Sequence, residues 1–261
     1  MFNTTCIYGF IFESIIPKDN PALVGRDRSS HPIIISCDDF KVDDPDAIVL
    51  TLVFIGNTVS YVPYFYYALI KGGETGILKE RTPYEVCDIT EFTGTDMEES
   101  IKIDDQQINN LLKPEIWEYN IKTEAQPESE RNFQINLLSP LRYKVRGAFT
   151  NKVTAKGFAE CLHRRAQVLC SQYGNNDFSG KYTYSGNWTV TDHDTVWKDY
   201  LHYSGRQKKE MLLGGLTGSF VLSGKFTPYE VSLLRFAELF HGGKNTVFGL
   251  GKMKVNENGE L

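Results

Sequence analysis

The chain has 261 residues, is 41% hydrophobic and carries a formal charge of −5, a globular composition with room for one large domain or two small ones. No apolar run reaches the roughly 18 residues a membrane span needs, and no basic-then-apolar leader opens the chain, so a cytoplasmic protein without a membrane partner is expected. Its five cysteines are scattered, with neither a Cys-x-x-Cys pair nor a histidine pair at zinc spacing, so they read as reduced thiols and no metal is expected.

In chain order, residues 5–16 and 46–56 read as strands, and 62–71 as an apolar helix ended by Gly72 and Gly73. Residues 83–89 read as a short strand and 104–112 as a weaker helix. A polar, turn-rich linker at 122–130 separates two halves, with domains at 1–127 and 128–261. Charge divides with them. Residues 1–130 hold 10 Lys+Arg against 23 Asp+Glu, whereas residues 131–261 hold 18 against 10. A basic second half inside an acidic chain is the asymmetry expected where one half meets phosphates; a chance surface bias is the plain alternative.

In the second half, 132–138 reads as a strand and 155–172 as a helix, with Phe158, Cys161, Leu162, Ala166 and Leu169 at three- and four-residue intervals. A stretch of loops and aromatics (Tyr182, Tyr184, Trp188, Trp197) runs to Tyr203, and 216–224 forms a strand. Thr227-Pro-Tyr-Glu230 is a capping box with proline at the first helical position, opening a helix over 228–241. A glycine loop and a last strand follow. The whole predicts an α+β fold of tandem ferredoxin-like units, the β-α-β-β-α-β arrangement shared by the RNA-recognition motif, with the first unit incomplete.

The loop His241-Gly-Gly-Lys-Asn-Thr-Val-Phe-Gly-Leu-Gly-Lys252 is the most informative stretch. Gly242, Gly243, Gly249 and Gly251 would let bare amides approach an anion, beside Lys244, Lys252 and Lys254. Gly242 and Gly243 also suit an ordinary helix C-cap. It is not a Walker A loop, because Asn245 follows the lysine and Glu238 stands where the first glycine belongs; Gly249-Leu-Gly251 followed by Lys252 is not a dinucleotide fingerprint. Neither ATP nor NAD is indicated, and no cofactor is expected.

Gly214-Gly-Leu-Thr-Gly218, a helix and then the glycine loop together resemble the C-terminal signature of the sixth CRISPR-associated (Cas) protein family, RAMP-superfamily endoribonucleases that cut precursor CRISPR RNA. Residues 136–144, His163-Arg-Arg165 and 203–207 resemble further blocks, and the first half resembles the family's first domain more loosely. The resemblance implies a strand and a helix ahead of Cys6–Glu13, so the first unit is expected to be shortened.

It also implies metal-independent cleavage, in which a ribose 2′-hydroxyl attacks the adjacent phosphate to leave a 2′,3′-cyclic phosphate and a 5′-hydroxyl. The implied partners are CRISPR repeat RNA and other Cas effector-complex subunits. Such chemistry needs an acid, a base and charge stabilisation, which His and Lys supply near neutral pH. His241 is the first candidate, as acid, base or RNA contact, against a plain histidine at a helix C-terminus. His31, in Ser-Ser-His-Pro, is the second, and Lys244 the charge stabiliser. His202 could position RNA, while His163 and His193 read as structural or exposed. Arg164, Arg165, Arg206, Lys208, Lys209, Lys244, Asn245 and Lys252 are candidate RNA contacts. Tyr182, Tyr184 and Trp188 either stack on bases or anchor loops. Two other functions compete: a catalytically inactive RNA-binding subunit of a CRISPR complex, and a protein–protein module joined through its charge asymmetry.

Overall fold

The computed structural model describes residues 6–13, 29–38, 47–77, 80–92, 100–103, 118–122, 127–174, 182–204 and 208–257. The helix expected at 104–112 lies outside them. The chain divides into two compact units, one of residues 1–14 with 54–119, the other of residues 15–53 with 120–261. The class is α+β.

The first unit opens with helix α1 (Ile7–Phe12), where a strand was expected. The residues follow a four-residue repeat: Phe10 and Glu13 amides donate to the Cys6 and Gly9 carbonyls, Tyr8 and Phe12 pair at 5.2 Å, and Ile11 is buried. A 3-10 turn at Gly56–Tyr61 leads into α2 (Val62–Thr75), which runs through Gly72-Gly73 instead of ending there. Those glycines are contact points for Tyr84. A Cβ on Gly73 would lie 2.2 Å from the Tyr84 carbonyl oxygen, the Tyr84 amide donates to Gly73, and its hydroxyl donates to Leu69. The strand expected at 83–89 is displaced to β3 (Ile89–Phe92), which pairs antiparallel with β4 (Ser100–Ile103).

The second unit takes in β1 (Ile33–Asp38) and all but the last residue of β2 (Val49–Phe54), two neighbouring strands. Its body is β5 (Ser129–Leu141), α3 (Ala155–Tyr173), β8 (Trp188–Lys198), β11 (Gly215–Phe226), α4 (Pro228–Phe240) and β12 (Met253–Glu257). The sheet order is β12-β5-β11-β8, antiparallel throughout, which is the ferredoxin-like arrangement. Two short ribbons lie in its connections: β6 (Lys144–Val145) with β7 (Ala148–Phe149) between β5 and α3, and β9 (Leu201–Ser204) with β10 (Lys209–Leu212) between β8 and β11. Alternation on β5 puts Phe133 and Ile135 into the core and Asn132, Gln134 and Asn136 on the other face.

The core forms where that apolar face meets the two helices: Phe158, Leu162, Ala166 and Leu169 from α3, Leu233, Leu234 and Ala237 from α4. Edge-to-face pairs Phe133–Phe226 (5.0 Å) and Phe158–Phe220 (5.1 Å) fill its centre. The helix starts follow the sequence. Thr154 caps α3 through the Gly157 amide, and the Thr227/Glu230 capping box closes in both directions.

Candidate functional site

The glycine loop lies where α4 ends and β12 begins, folded onto the end of β5. Several of its amides are committed to the protein itself. Gly242 donates to Gly251, Lys244 to Arg142, Gly251 to Pro140, and Lys252 to the Ser139 hydroxyl; Phe248 and Gly249 donate to Asn245 and Thr246 around a 3-10 turn at Thr246–Phe248. The glycines answer to packing. A Cβ on Gly251 would lie 1.9 Å from the Gly242 carbonyl oxygen, on Gly243 2.4 Å from that of Arg142, and on Gly249 2.8 Å from that of Ile35. Asn245 takes the left-handed conformation, which its short polar side chain tolerates. What the loop offers outward is side chain: Lys244 is exposed and Lys252 half-exposed.

His241 is the C-cap of α4 and only 2% exposed. Its φ of 56° with ψ of 156° is a backbone region nearly confined to glycine, costing on the order of 1–3 kcal/mol. Its Nδ1–H donates to the Leu250 carbonyl at 3.2 Å. Held so, the ring ties the two ends of the loop together. Burial pushes the thiol of Cys161, on α3, up to about 12, so it stays a neutral packing group.

The segment that carries His31 is fixed near the loop by another route. Ser29 and Ser30 are pinned on the end of α3: the Ser30 amide donates to Gln172, the Tyr173 hydroxyl donates to the Ser30 carbonyl, and Gln172 donates to the Ser29 hydroxyl. The next residues, Ile35 and Ser36 of β1, lie against Gly249. Arg165 links both sides. Nε and Nη2 donate to the Phe240 carbonyl at 3.1 and 3.0 Å and Nη1 to the Ser30 hydroxyl at 2.8 Å. A 6% exposed guanidinium thus stands between the neighbours of His31 and His241, capping the negative end of α4. His31 itself is half-exposed.

The other candidates are distributed unevenly. Arg164 is half-buried and donates to Gln167 at 2.7 Å. Lys208 and Lys209 are exposed on the β9–β10 ribbon; Arg206 lies outside the described residues. His202 from that ribbon meets Phe248 of the glycine loop, ring centres 5.5 Å apart. His163 is structural, hydrogen-bonded to the Tyr229 hydroxyl at 2.6 Å and stacked on Tyr182.

The aromatics anchor loops. Tyr182 and Trp188 both donate to Oε1 of Glu230, at 2.8 and 3.0 Å, and Trp188 stacks on Phe226 at 5.0 Å; Tyr184 donates to the Trp188 carbonyl. Glu230 is 4% exposed and takes Thr227 on its other oxygen, a buried carboxylate with its acceptors filled. Arg142, which the sequence marks within the cation run Arg142 to Arg146 without naming it as a site residue, reaches Gly214 with its guanidinium at 2.8 Å and covers the Phe149 ring at 3.9 Å. Among the described residues, no group of three or more His, Cys, Asp or Glu side chains is placed to hold a metal ion, and no helix is long and apolar enough to cross a membrane.

Residues 135–253 match the model of the CRISPR-associated endoribonuclease Cas6 family, and residues 1–116 match AF_1859_N, described as an N-terminal domain. No curated protein matches the chain. Among solved structures the chain is similar to a Cas6 product complex, at 13% identity over 87% of this chain and 82% of that one, with a TM-score of 0.51. It is also similar to Thermus thermophilus Cas6, at 13% identity over 49% and 55% with a TM-score of 0.35. A partial Cas6-RT-Cas1–Cas2 complex matches at 18% identity over 52% of this chain, with a TM-score of 0.35, and this chain spans 23% of that one. The matched block runs from β5 to β12 and carries the ferredoxin-like sheet order together with the glycine loop, and over that block the chain is similar to the CRISPR-associated endoribonuclease Cas6 family.

Proposed function

We propose that the chain processes CRISPR precursor RNA, cutting within the repeat without a metal. The carrying observation is the basic glycine loop inside the family-matched domain, with the His31 segment packed against it through Gly249 and Arg165. The base removes the proton of the 2′-hydroxyl, the oxygen attacks the adjacent phosphorus, and the acid returns a proton to the departing 5′-oxygen. Charge growing on the phosphorane falls to Lys244.

Burial reorders the candidates. His31, half-exposed, is the better placed proton carrier, while His241 supports the loop that presents Lys244. Lys252, Lys208, Lys209, Arg206 and Arg164 are the proposed backbone contacts, and Gly242, Gly243, Asn245, Gly249 and Gly251 shape the loop. Hairpin and flank would be held through shape and phosphate. The product would pass, still bound, to a Cas effector complex in the cytoplasm.

The buried, hydrogen-bonded state of His241 also favours a second reading, an RNA-binding subunit that does not cut. Labelled repeat RNA from the host, incubated in EDTA beside versions with a 2′-deoxy substitution at each candidate site, separates the two. One cut, abolished by one deoxy substitution and by His31→Ala, supports the nuclease. Tight binding with no cut supports the silent subunit. Loss of neither binding nor cleavage in Lys244→Ala would remove the loop from the site.

A further inference from the structure

The β6–β7 ribbon carries an exposed aromatic ring within a stretch of sequence that holds cations and no carboxylate. Between Arg131 and Ala159 there is no Asp or Glu, while Arg131, Arg142, Lys144, Arg146, Lys152 and Lys156 are all cationic. Lys144 pairs with Phe149 and Val145 with Ala148. The turn between them is Arg146-Gly147, both at positive φ (50° and 85°), the two-residue hairpin turn that matches strand twist.

Phe149 remains 40% exposed, yet it is held. The Arg142 guanidinium lies 3.9 Å from its ring centre and the Lys144 ammonium 5.0 Å away. Arg142 is itself fixed by the Gly214 carbonyl and, through its own carbonyl, by the Lys244 amide. Among the described residues no carboxylate pairs with Arg142, Lys144 or Arg146, and Nε of Arg142 is buried without a hydrogen-bond partner.

A preorganised flat ring ringed by uncompensated cations suits a ligand that is flat and apolar in one part and anionic in the next. An unpaired nucleotide has that chemistry. We propose that the β6–β7 ribbon is a stacking site for an unpaired RNA base, Phe149 being the platform and Lys144 and Arg146 holding the flanking phosphates. The site rests on the RNA-binding reading above and extends it, because the Arg142–Lys244 hydrogen bond makes the ribbon continuous with the glycine loop.

The test compares binding of full-length protein to fluorescein-labelled oligouridylate and to the corresponding abasic strand, which has the phosphates without the bases. Phe149→Ala should weaken oligouridylate binding by about tenfold and leave the abasic strand unchanged. Phe149→Leu, which keeps apolar bulk, should lose as much, and Phe149→Tyr should restore it. Arg146→Gln should weaken both strands and flatten the salt dependence by about 0.7 in logarithmic slope.

A base preference that survives in Phe149→Ala and Phe149→Leu overturns the site while leaving RNA binding intact. Loss of self-association in sedimentation, with RNA affinity unchanged, assigns the ribbon to a protein contact and also overturns it. Wild-type protein that binds neither these strands nor repeat RNA overturns this site and the RNA-binding reading together.

Discussion

Gly251 and Gly147 have nearly the same φ, 77° and 85°, and opposite surroundings. A Cβ on Gly251 would collide with the Gly242 carbonyl at 1.9 Å; a Cβ on Gly147 would meet nothing within 4 Å. One glycine closes a loop against its own chain, and the other turns a ribbon toward solvent. The difference bears on how each region could meet an anion. The glycine loop spends the amides of Gly242, Lys244, Phe248, Gly249, Gly251 and Lys252 internally, so those amides offer a phosphate nothing and the outward charge is that of Lys244 and Lys252. The ribbon shows its cations and its ring directly.

The largest way to break that comparison is Gly251→Ala. Backbone cannot yield as a side-chain tip can, so a loss of about 3 kcal/mol or more is expected from clash and left-handed strain together, read as a fall in chemical-denaturation midpoint at constant slope. A loss under about 1 kcal/mol would show that the loop can open. Next comes Arg165→Ala, which leaves the Phe240 carbonyl without its charged donor and removes one of the ties on Ser30. Charge-assisted hydrogen bonds of this kind predict about 2–3 kcal/mol, with Arg165→Lys recovering only part because an ammonium cannot reproduce the fork.

A smaller effect separates the loop's underside from the ribbon by pH. Burial pushes the Cys161 thiol up to about 12 and the Cys170 thiol up to about 11. Both groups are acids whose folded pKa is raised, so their contribution is complete below the unfolded thiol value and disappears as pH climbs toward the folded one. In that window the unfolded chain binds fewer protons than the folded chain, and stability falls. Denaturation midpoints should therefore drop from about pH 9 upward, and Cys161→Ser with Cys170→Ala should flatten the slope. An unchanged slope would mean that the thiols are open to water.

Legibility followed the range of the interactions. The α4 start was readable because a capping box spans four residues, and α3 because its apolar intervals are local. The β8 strand was passed over as loop: Trp188 to Lys198 alternates around charged residues, and its partner β11 lies some way along the chain. The α1 helix was misread because its apolar residues suit a strand equally well. In the site, the glycine loop and its lysines were visible, but the burial of His241 depends on Leu250, and the anchoring of Trp188 depends on a carboxylate 42 residues away. Long-range partners of that kind leave no local pattern. The reverse also occurred: His31 stood out only as a loop histidine, and the tie between its neighbour Ser30 and the end of α4 runs through Arg165, 135 residues from Ser30.

Gly147→Ala completes the contrast with the smallest expected effect. With open space around the site, the only penalty is that of an L-residue in the left-handed region, about 1–2 kcal/mol, and Gly147→Asn should cost less because asparagine tolerates that region. The order Gly251→Ala, Gly147→Ala, Gly147→Asn should appear in denaturation midpoints. If Gly147→Ala costs as much as Gly251→Ala, the ribbon is packed against something in solution and its ring is not presented freely. If Gly147→Asn is neutral and keeps the oligouridylate affinity, the turn serves only to aim the ribbon, and the selectivity for bases resides in Phe149.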